Sequence, residues 1–265
     1  EFPENLKSIG TSAFEGCTGL KSISFPSGVT DVSERAFKSC TALESISTQG
    51  TKVCRLNQHA FEGCTSLVSV ELSAKTEVLR GAFRGCTSLT GFTVAEGSAY
   101  DVVDGCLYES GNKAVSDGDR TALVVCPAGK TEVTFLEGIT AIGDQAFAGC
   151  TGLTSVEIPD TVTEIEMYAF DGCSGLTKAV LPKNLSVIQL GLFQDSGLTA
   201  IEIPETVTRI REYAFAGCQG LNTVTIPGTV SVIAQSAFSS CRNLESVYLQ
   251  EGVERIDSRA YQDCT

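Results

Sequence analysis

The sequence predicts a repeat protein, a β-rich solenoid with a parallel sheet carrying one strand per repeat, short extended segments on the opposite side and one inserted β-hairpin. Three observations predict it. An aromatic preceded by alanine recurs every 22 to 24 residues, apart from one gap of 64, at Phe14, Phe37, Phe61, Phe83, Phe147, Phe170, Phe215 and Phe238; Leu192-Phe193 and Ala260-Tyr261 fill two further turns. Three residues after each aromatic stands a cysteine, with Ser196 the one exception. Between these marks run short stretches in which apolar and polar residues alternate, the period of a half-buried strand. Self-similarity at a fixed period marks units that cannot bury their apolar side alone and must stack to do so.

Each element of a unit has a local cause. The strand is seen in Leu153-Thr-Ser-Val156-Glu-Ile158-Pro159, where the apolar residues fall on one face. The proline that follows (Pro26, Pro159, Pro182, Pro204, Pro227) has no N–H and ends the ladder at a corner. A second short apolar pair comes next, Val162 with Ile165 or Val207 with Ile210, and the chain then returns to Ala-Phe. Glycines at 16, 63, 85, 149, 172 and 217 follow the repeat and release the chain from this compact turn. Stacking piles the phenylalanines into a spine and the leucines (Leu20, Leu43, Leu67, Leu89, Leu153, Leu176, Leu221, Leu244) behind the sheet. The seventh unit is one residue shorter, which puts Leu198 only two residues after Ser196.

The string Ile142-Gly-Asp-Gln-Ala-Phe-Ala-Gly-Cys-Thr-Gly-Leu-Thr-Ser-Val-Glu-Ile-Pro159 resembles the repeat of the BspA-like leucine-rich-repeat family, and the likeness covers nearly the whole chain in ten units. The resemblance implies a right-handed leucine-rich-repeat solenoid with a concave parallel sheet and short convex segments. It also implies a setting on the surface of bacteria or unicellular eukaryotes, in adhesion or recognition. It bears on fold more strongly than on function, because repeat scaffolds serve many partners.

The domain expected is a single solenoid over residues 1–265, with repeat blocks 1–94 and 136–265 separated by an irregular insertion at 95–135. There, Asp104-Gly-Cys-Leu-Tyr108 and Leu123-Val-Val-Cys-Pro127 flank a polar stretch, residues 109–120, and read as a hairpin turning around Ser116-Asp-Gly-Asp119. The family resemblance implies the same, because an Asp-Gly-x-Leu-Tyr and Leu-x-x-x-Pro element interrupts many such arrays. Here the two arms carry Cys106 and Cys126, a departure from that pattern. Regular repeats resume by Val133 or Ile139. The chain begins in mid-unit at Phe2-Pro3 and stops one residue after Cys264. With neither polar cap in view, it reads as a fragment of a longer chain, so a missing leader or anchor says nothing about location.

Composition narrows the chemistry. With 19 basic and 32 acidic residues the net charge is −13, against a nucleic-acid binder, which shows a basic stripe. No apolar run approaches a membrane helix; the longest, residues 122–126, holds five. One histidine, one methionine and no tryptophan leave most catalytic and metal chemistries without material. The expectation is a non-enzyme with no cofactor and no metal.

Of the twelve cysteines, nine occupy the repeat column, where a small buried thiol with a weak donor suits a ladder. No Cys-x-x-Cys pair supplies zinc spacing. Cys54, Cys106 and Cys126 lie outside the column. The last two face each other across the hairpin arms, open to a bridge or to a plain core role. His59 precedes Ala60-Phe61 where other units place Ser12, Arg35, Gln145, Tyr168, Tyr213, Ser236 and Arg259. Such variety reads as a solvated site without geometric demand, and no third group orients a base. Asp104, Asp117 and Asp119 lack the twelve-residue calcium loop and read as turn formers. One sequon, Asn184-Leu-Ser186, is a weak signal.

What remains is surface. The outward positions of the main strand are Ser22, Ser24, Ser45, Ser47, Ser69, Glu71, Gly91, Thr93, Ser155, Glu157, Lys178, Val180, Ala200, Glu202, Thr223, Thr225, Ser246 and Tyr248. All but Gly91, Val180 and Ala200 are candidate partner-binding residues. The face is small, hydroxylated and mildly acidic, and Tyr248 alone belongs to the class that dominates binding hot spots. The expectation is a binding or recognition module at a cell surface or secreted, contacting a protein or glycan, with no nucleic acid and no membrane insertion. The alternative is a scaffolding subunit packed permanently in a larger, cytoplasmic assembly.

Overall fold

A computed structural model describes residues 1–52, 54–109 and 121–264. They divide into two compact units, Glu1–Lys130 and Thr131–Thr265, each a stack of β-solenoid coils. Among the described residues the regular elements are short strands, with no helix.

In the first unit the main strands Ser22–Ser24, Ser45–Ser47, Ser69–Leu72 and Gly91–Val94 pair in parallel, aligning Ile23, Ile46, Val70 and Phe92. Those four side chains are buried and their neighbours point to solvent, as period-two alternation requires. The short segment after the corner is a ladder in its own right: Ser8–Ile9, Asp31–Val32, Cys54–Leu56 and Thr76–Val78 also pair in parallel. The second unit repeats the plan. Its main face holds Ser155–Glu157 beside Lys178–Val180, and Thr223–Ile226 beside Ser246–Leu249. On its other side, Ala141–Ile142 pairs with Glu164–Ile165, and Val187–Ile188, Arg209–Ile210, Val232–Ile233 and Arg255–Ile256 run in order.

The compact turns form a third ladder. The N–H of Phe37 donates to the Ala60 carbonyl one coil on at 2.8 Å, and Phe61, Phe147 and Phe215 do likewise at 2.7–2.8 Å. Backbone groups in a buried turn must find partners, and stacking supplies them. The geometry comes at a backbone cost. The residue before each Ala-Phe pair sits in the left-handed region: Ser12, Arg35, His59, Gln145, Tyr168, Tyr213, Ser236 and Arg259 all have φ between 56° and 60°. The reading of the His59 position as free of geometric demand is thereby corrected. The demand falls on the backbone, and a side chain of almost any kind can meet it.

Inside the turns the rings stack as expected. Successive centroids from Phe14 through Phe37 and Phe61 to Phe83 lie 5.0–5.4 Å apart, and those from Phe147 through Phe170, Phe193, Phe215 and Phe238 to Tyr261 lie 4.7–5.7 Å apart. Beside them the column thiols donate to the phenylalanine carbonyl of the preceding coil: Cys40 to Phe14, Cys64 to Phe37, Cys173 to Phe147, Cys218 to Phe193 and Cys241 to Phe215, all at 3.1–3.2 Å. Ser196 keeps a polar hydrogen in the same place, 3.3 Å from the Cys218 sulfur. Burial pushes the Cys40 thiol up to about 11 and Cys218 to about 12, so these groups stay protonated donors at neutral pH.

Two features depart from the regular pattern. Where other coils put Val29, Val162 or Val207 at the corner, two coils of the first unit put Thr51 and Thr76, which join Thr48 and Ser73 in a buried hydroxyl network with contacts of 2.8–3.2 Å. Each hydroxyl there has a partner, which keeps the burial from being costly. The second departure lies at the short seventh unit. Between the strands Lys178–Val180 and Thr223–Ile226 the ladder narrows to one bridge, Lys178↔Ala200, and residues 201–204 form no strand. Proline cannot be the cause, because Ser155–Glu157 precedes Pro159 in the same way. The coil with the lost residue keeps the register of its neighbours, since Ser155, Lys178 and Ala200 stay in one column and Ile201 and Ile203 stay buried, but its pairing ends after Ala200.

The insertion holds one strand more than the expected hairpin. Tyr100–Val103, Cys106–Glu109 and Ala122–Val125 pair antiparallel in turn, and the strand at Tyr100 was hidden where the repeat fails. Asp104 and Gly105, with φ of 50° and 77°, make a tight turn of the kind that joins hairpin strands. Gly105 is required twice over, since a Cβ there would stand 2.6 Å from the Thr90 carbonyl. The turn expected at Ser116-Asp-Gly-Asp119 lies outside the described residues. The sheet covers the end of the first unit's ladders. The Phe92 N–H donates to the Gly105 carbonyl, the Gly129 N–H to Leu89, and the Val78 N–H to the Tyr100 hydroxyl at 2.9 Å.

Candidate interaction face

Alternation along the main strands decides what faces solvent. In the first unit Ser22, Ser45, Ser69 and Gly91 form one row and Ser24, Ser47, Glu71 and Thr93 a second. All of them are exposed or half-exposed. Rows in a parallel sheet repeat at about 4.8 Å, so neighbouring hydroxyls stand within reach of one bridging ligand atom. A depression of about 210 Å³ runs along the first three strands, floored by Ile23 and Ile46 and walled by these serines and Glu71.

In the second unit Ser155 pairs with Lys178 and Glu157 with Val180, while Thr223 pairs with Ser246 and Thr225 with Tyr248. Tyr248 is 61% exposed. Glu202 lies exposed on the coil where the ladder breaks. A groove of about 580 Å³ opens at that break, bounded by Val180, Leu181, Lys183, Ala200, Pro204 and Thr206 among others. The sequence reading missed Leu181, Lys183, Pro204 and Thr206 as surface lining. The signal that could have found them was the shortened spacing from Ser196 to Leu198. Every candidate residue of the sequence reading except Glu202, which lies on the unpaired stretch, sits on a main strand and is exposed or half-exposed.

A cluster of ionisable groups lies on the turns. His59 Nδ1 stands 3.2 Å from Glu62 Oε2, and Lys38 Nζ stands 3.1 Å from the same oxygen. Hydrogen bonding from His59, with Lys38 adding to it, holds the Glu62 carboxyl down at about 2. This is an ion-pair cluster on the turns, with no nucleophile in it. Among the described residues no group of three or more His, Cys, Asp and Glu side chains is placed to hold a metal. None of their helices is long and apolar enough to cross a membrane.

The model of the BspA type leucine rich repeat region matches in six copies over residues 1–112 and 140–265. Among solved structures, the chain is similar to a leucine rich cell surface protein from Faecalibacterium prausnitzii, with 26% identity and a TM-score of 0.65 over 92% of this chain and 77% of that one. It is similar also to a leucine-rich repeat protein from Eubacterium ventriosum (18% identity, TM-score 0.61, 97% of this chain and 80% of that one). The pneumococcal vaccine antigen PcpA matches at 18% identity and a TM-score of 0.55, over 96% and 74% of the two chains. At these identities the last two bear on the fold alone. A comparison with curated proteins finds no match.

Proposed function

The chain belongs to the BspA-type leucine-rich-repeat family, and on that premise we propose that it is a non-catalytic recognition module, displayed at a cell surface or secreted, that contacts a protein or glycan through its main-strand face. One observation carries the reading: the exposed hydroxyl and carboxylate rows are held in register by strands whose alternate side chains are locked in the core. Pre-ordered polar groups lose little freedom on binding, and regular hydroxyls suit a partner rich in hydrogen-bonding groups. The likeness to a cell surface protein supports the setting.

Binding to arrayed glycans and to surface-protein extracts, measured by biolayer interferometry, tests it. Replacing Ser45, Ser47 and Glu71 together with lysine, or Tyr248 with alanine, weakens binding at least tenfold, while Arg35→Ala on the turns leaves it unchanged. Binding that survives both face variants would sink the proposal. The competing reading is a scaffolding subunit in the cytoplasm. The column thiols favour it, because they hydrogen-bond as reduced groups and thiols persist in reducing compartments. Surface labelling of intact cells separates the two: labelled chain supports display, unlabelled chain the scaffold.

A further inference from the structure

We propose that Cys106 and Cys126 are a pair placed to close into one intramolecular disulfide across the inserted hairpin when a small disulfide oxidant is supplied, while the buried members of the cysteine column form no disulfide with one another. Register carries the argument. Leu107 lies opposite Val125 on antiparallel arms, so one step further along puts Cys106 opposite Cys126. Residues directly opposite on such arms have Cβ atoms about 4.5–5.5 Å apart, within a small adjustment of disulfide geometry. The two thiols are in hydrogen-bond contact with one another, and both side chains are buried.

Their contacts with the carbonyls of Asp104 and Pro127 are long. Cys106 Sγ is 3.8 Å from the Asp104 carbonyl and Cys126 Sγ 3.9 Å from that of Pro127, against 3.1–3.2 Å in the column. A column thiol that bridges to its neighbour gives up a short hydrogen bond to a phenylalanine carbonyl, whereas the carbonyl contacts of the hairpin pair are long. The competitors are Cys64 and Cys86, which also touch, and the exposed Cys17 beside Cys40. The Lys130 ammonium, paired with Asp104, lies beside both hairpin sulfurs and favours the thiolate that must form to attack. Mutual hydrogen bonding and burial act the other way on Cys106, so closure is slow at neutral pH and quickens as pH rises.

In the reaction one thiolate attacks the oxidant disulfide, releasing one small thiol and leaving a mixed disulfide. The second thiolate then displaces the other small thiol and the protein S–S bond forms. The two cysteines lose two electrons and two protons, and the oxidant takes them up as two thiols. Closure ties together the arms that cover the end of the first unit, so oxidation fixes the cover in place.

The test incubates the full chain, folded, with oxidised glutathione at pH 8, blocks remaining thiols by alkylation and maps tryptic peptides without reduction. The expected product links peptide 85–113 to peptide 121–130, with fragmentation placing the bond on Cys106, and carries glutathione only on the accessible end cysteines Cys17 and Cys264. Cys86→Ser keeps the link and Cys106→Ser abolishes it. The fragmentation of the unaltered chain decides the matter even if a variant misfolds. Twelve thiols still free, glutathione adducts without a link, or Cys64–Cys86 as the main product would each overturn the proposal.

Discussion

A residue with a Cβ held in the left-handed region costs about 1–2 kcal/mol relative to the right-handed one. Two residues before the aromatic, only Gly81 and Gly191 among the described coils avoid that cost. Arg35 sits there at φ 57°, and its 3.5 Å contact with Glu34 joins two half-exposed side chains, which contributes little. Arg35→Gly therefore stabilises the first unit by about 1 kcal/mol, and the β-branched Arg35→Val destabilises it by at least as much, both read from denaturant midpoints. The column itself was legible in the sequence. The φ was not, because the position accepts Ser, Arg, His, Gln and Tyr alike and composition gives no sign of the strain. Glu62 offers a second residue-level test. Its folded carboxyl titrates at about 2, below the ordinary 4.5. The stabilisation is whole above pH 4.5 and is lost as pH falls toward 2. In Glu62→Gln the midpoint difference from the parent shrinks over that window; a difference constant between pH 5 and 2.5 contradicts the ion-pair cluster.

Among elements, the aromatic spine carries the most packing. Phe170 lies between Phe147 and Phe193 at 4.7 and 5.3 Å and is fully buried, so Phe170→Ala removes contacts with coils on both sides and costs about 3–5 kcal/mol. Phe14 is only half-buried, and Phe14→Ala costs about half as much or less. Equal losses in urea unfolding would mean that the coils do not act as a stack. The elements also differ in how readable they were. Strand, proline corner and turn recur often enough for each copy to explain the others. The strand Tyr100–Val103 had no copy, and its pairing follows from Asp104-Gly105, two residues first read only as part of a polar-flanked arm. The unpaired stretch 201–204 lies in the coil that is one residue short, where the register holds but the pairing does not, and that outcome is visible only beside the neighbouring coils.

For the molecule as a whole, charge and recognition separate. The net charge is −13, yet the candidate face carries only three carboxylates, Glu71, Glu157 and Glu202, against Lys178. Most of the acidity thus lies on other surfaces, where it keeps copies of the chain apart and repels anionic partners at long range. A partner held by the hydroxyl rows meets short-range hydrogen bonds that salt hardly screens. A partner drawn by the general acidity meets a field that fades within about 10 Å at 0.1 M salt. Calorimetric titration of a bound glycan or protein at 50 and 500 mM salt distinguishes them. Recognition by the face changes the dissociation constant by less than about threefold over that range, and Lys178→Glu moves the salt dependence only slightly. Weakening by tenfold or more would place the contact on the acidic surfaces outside the strands, and the serine and threonine rows would then serve the solenoid only as its solvated side.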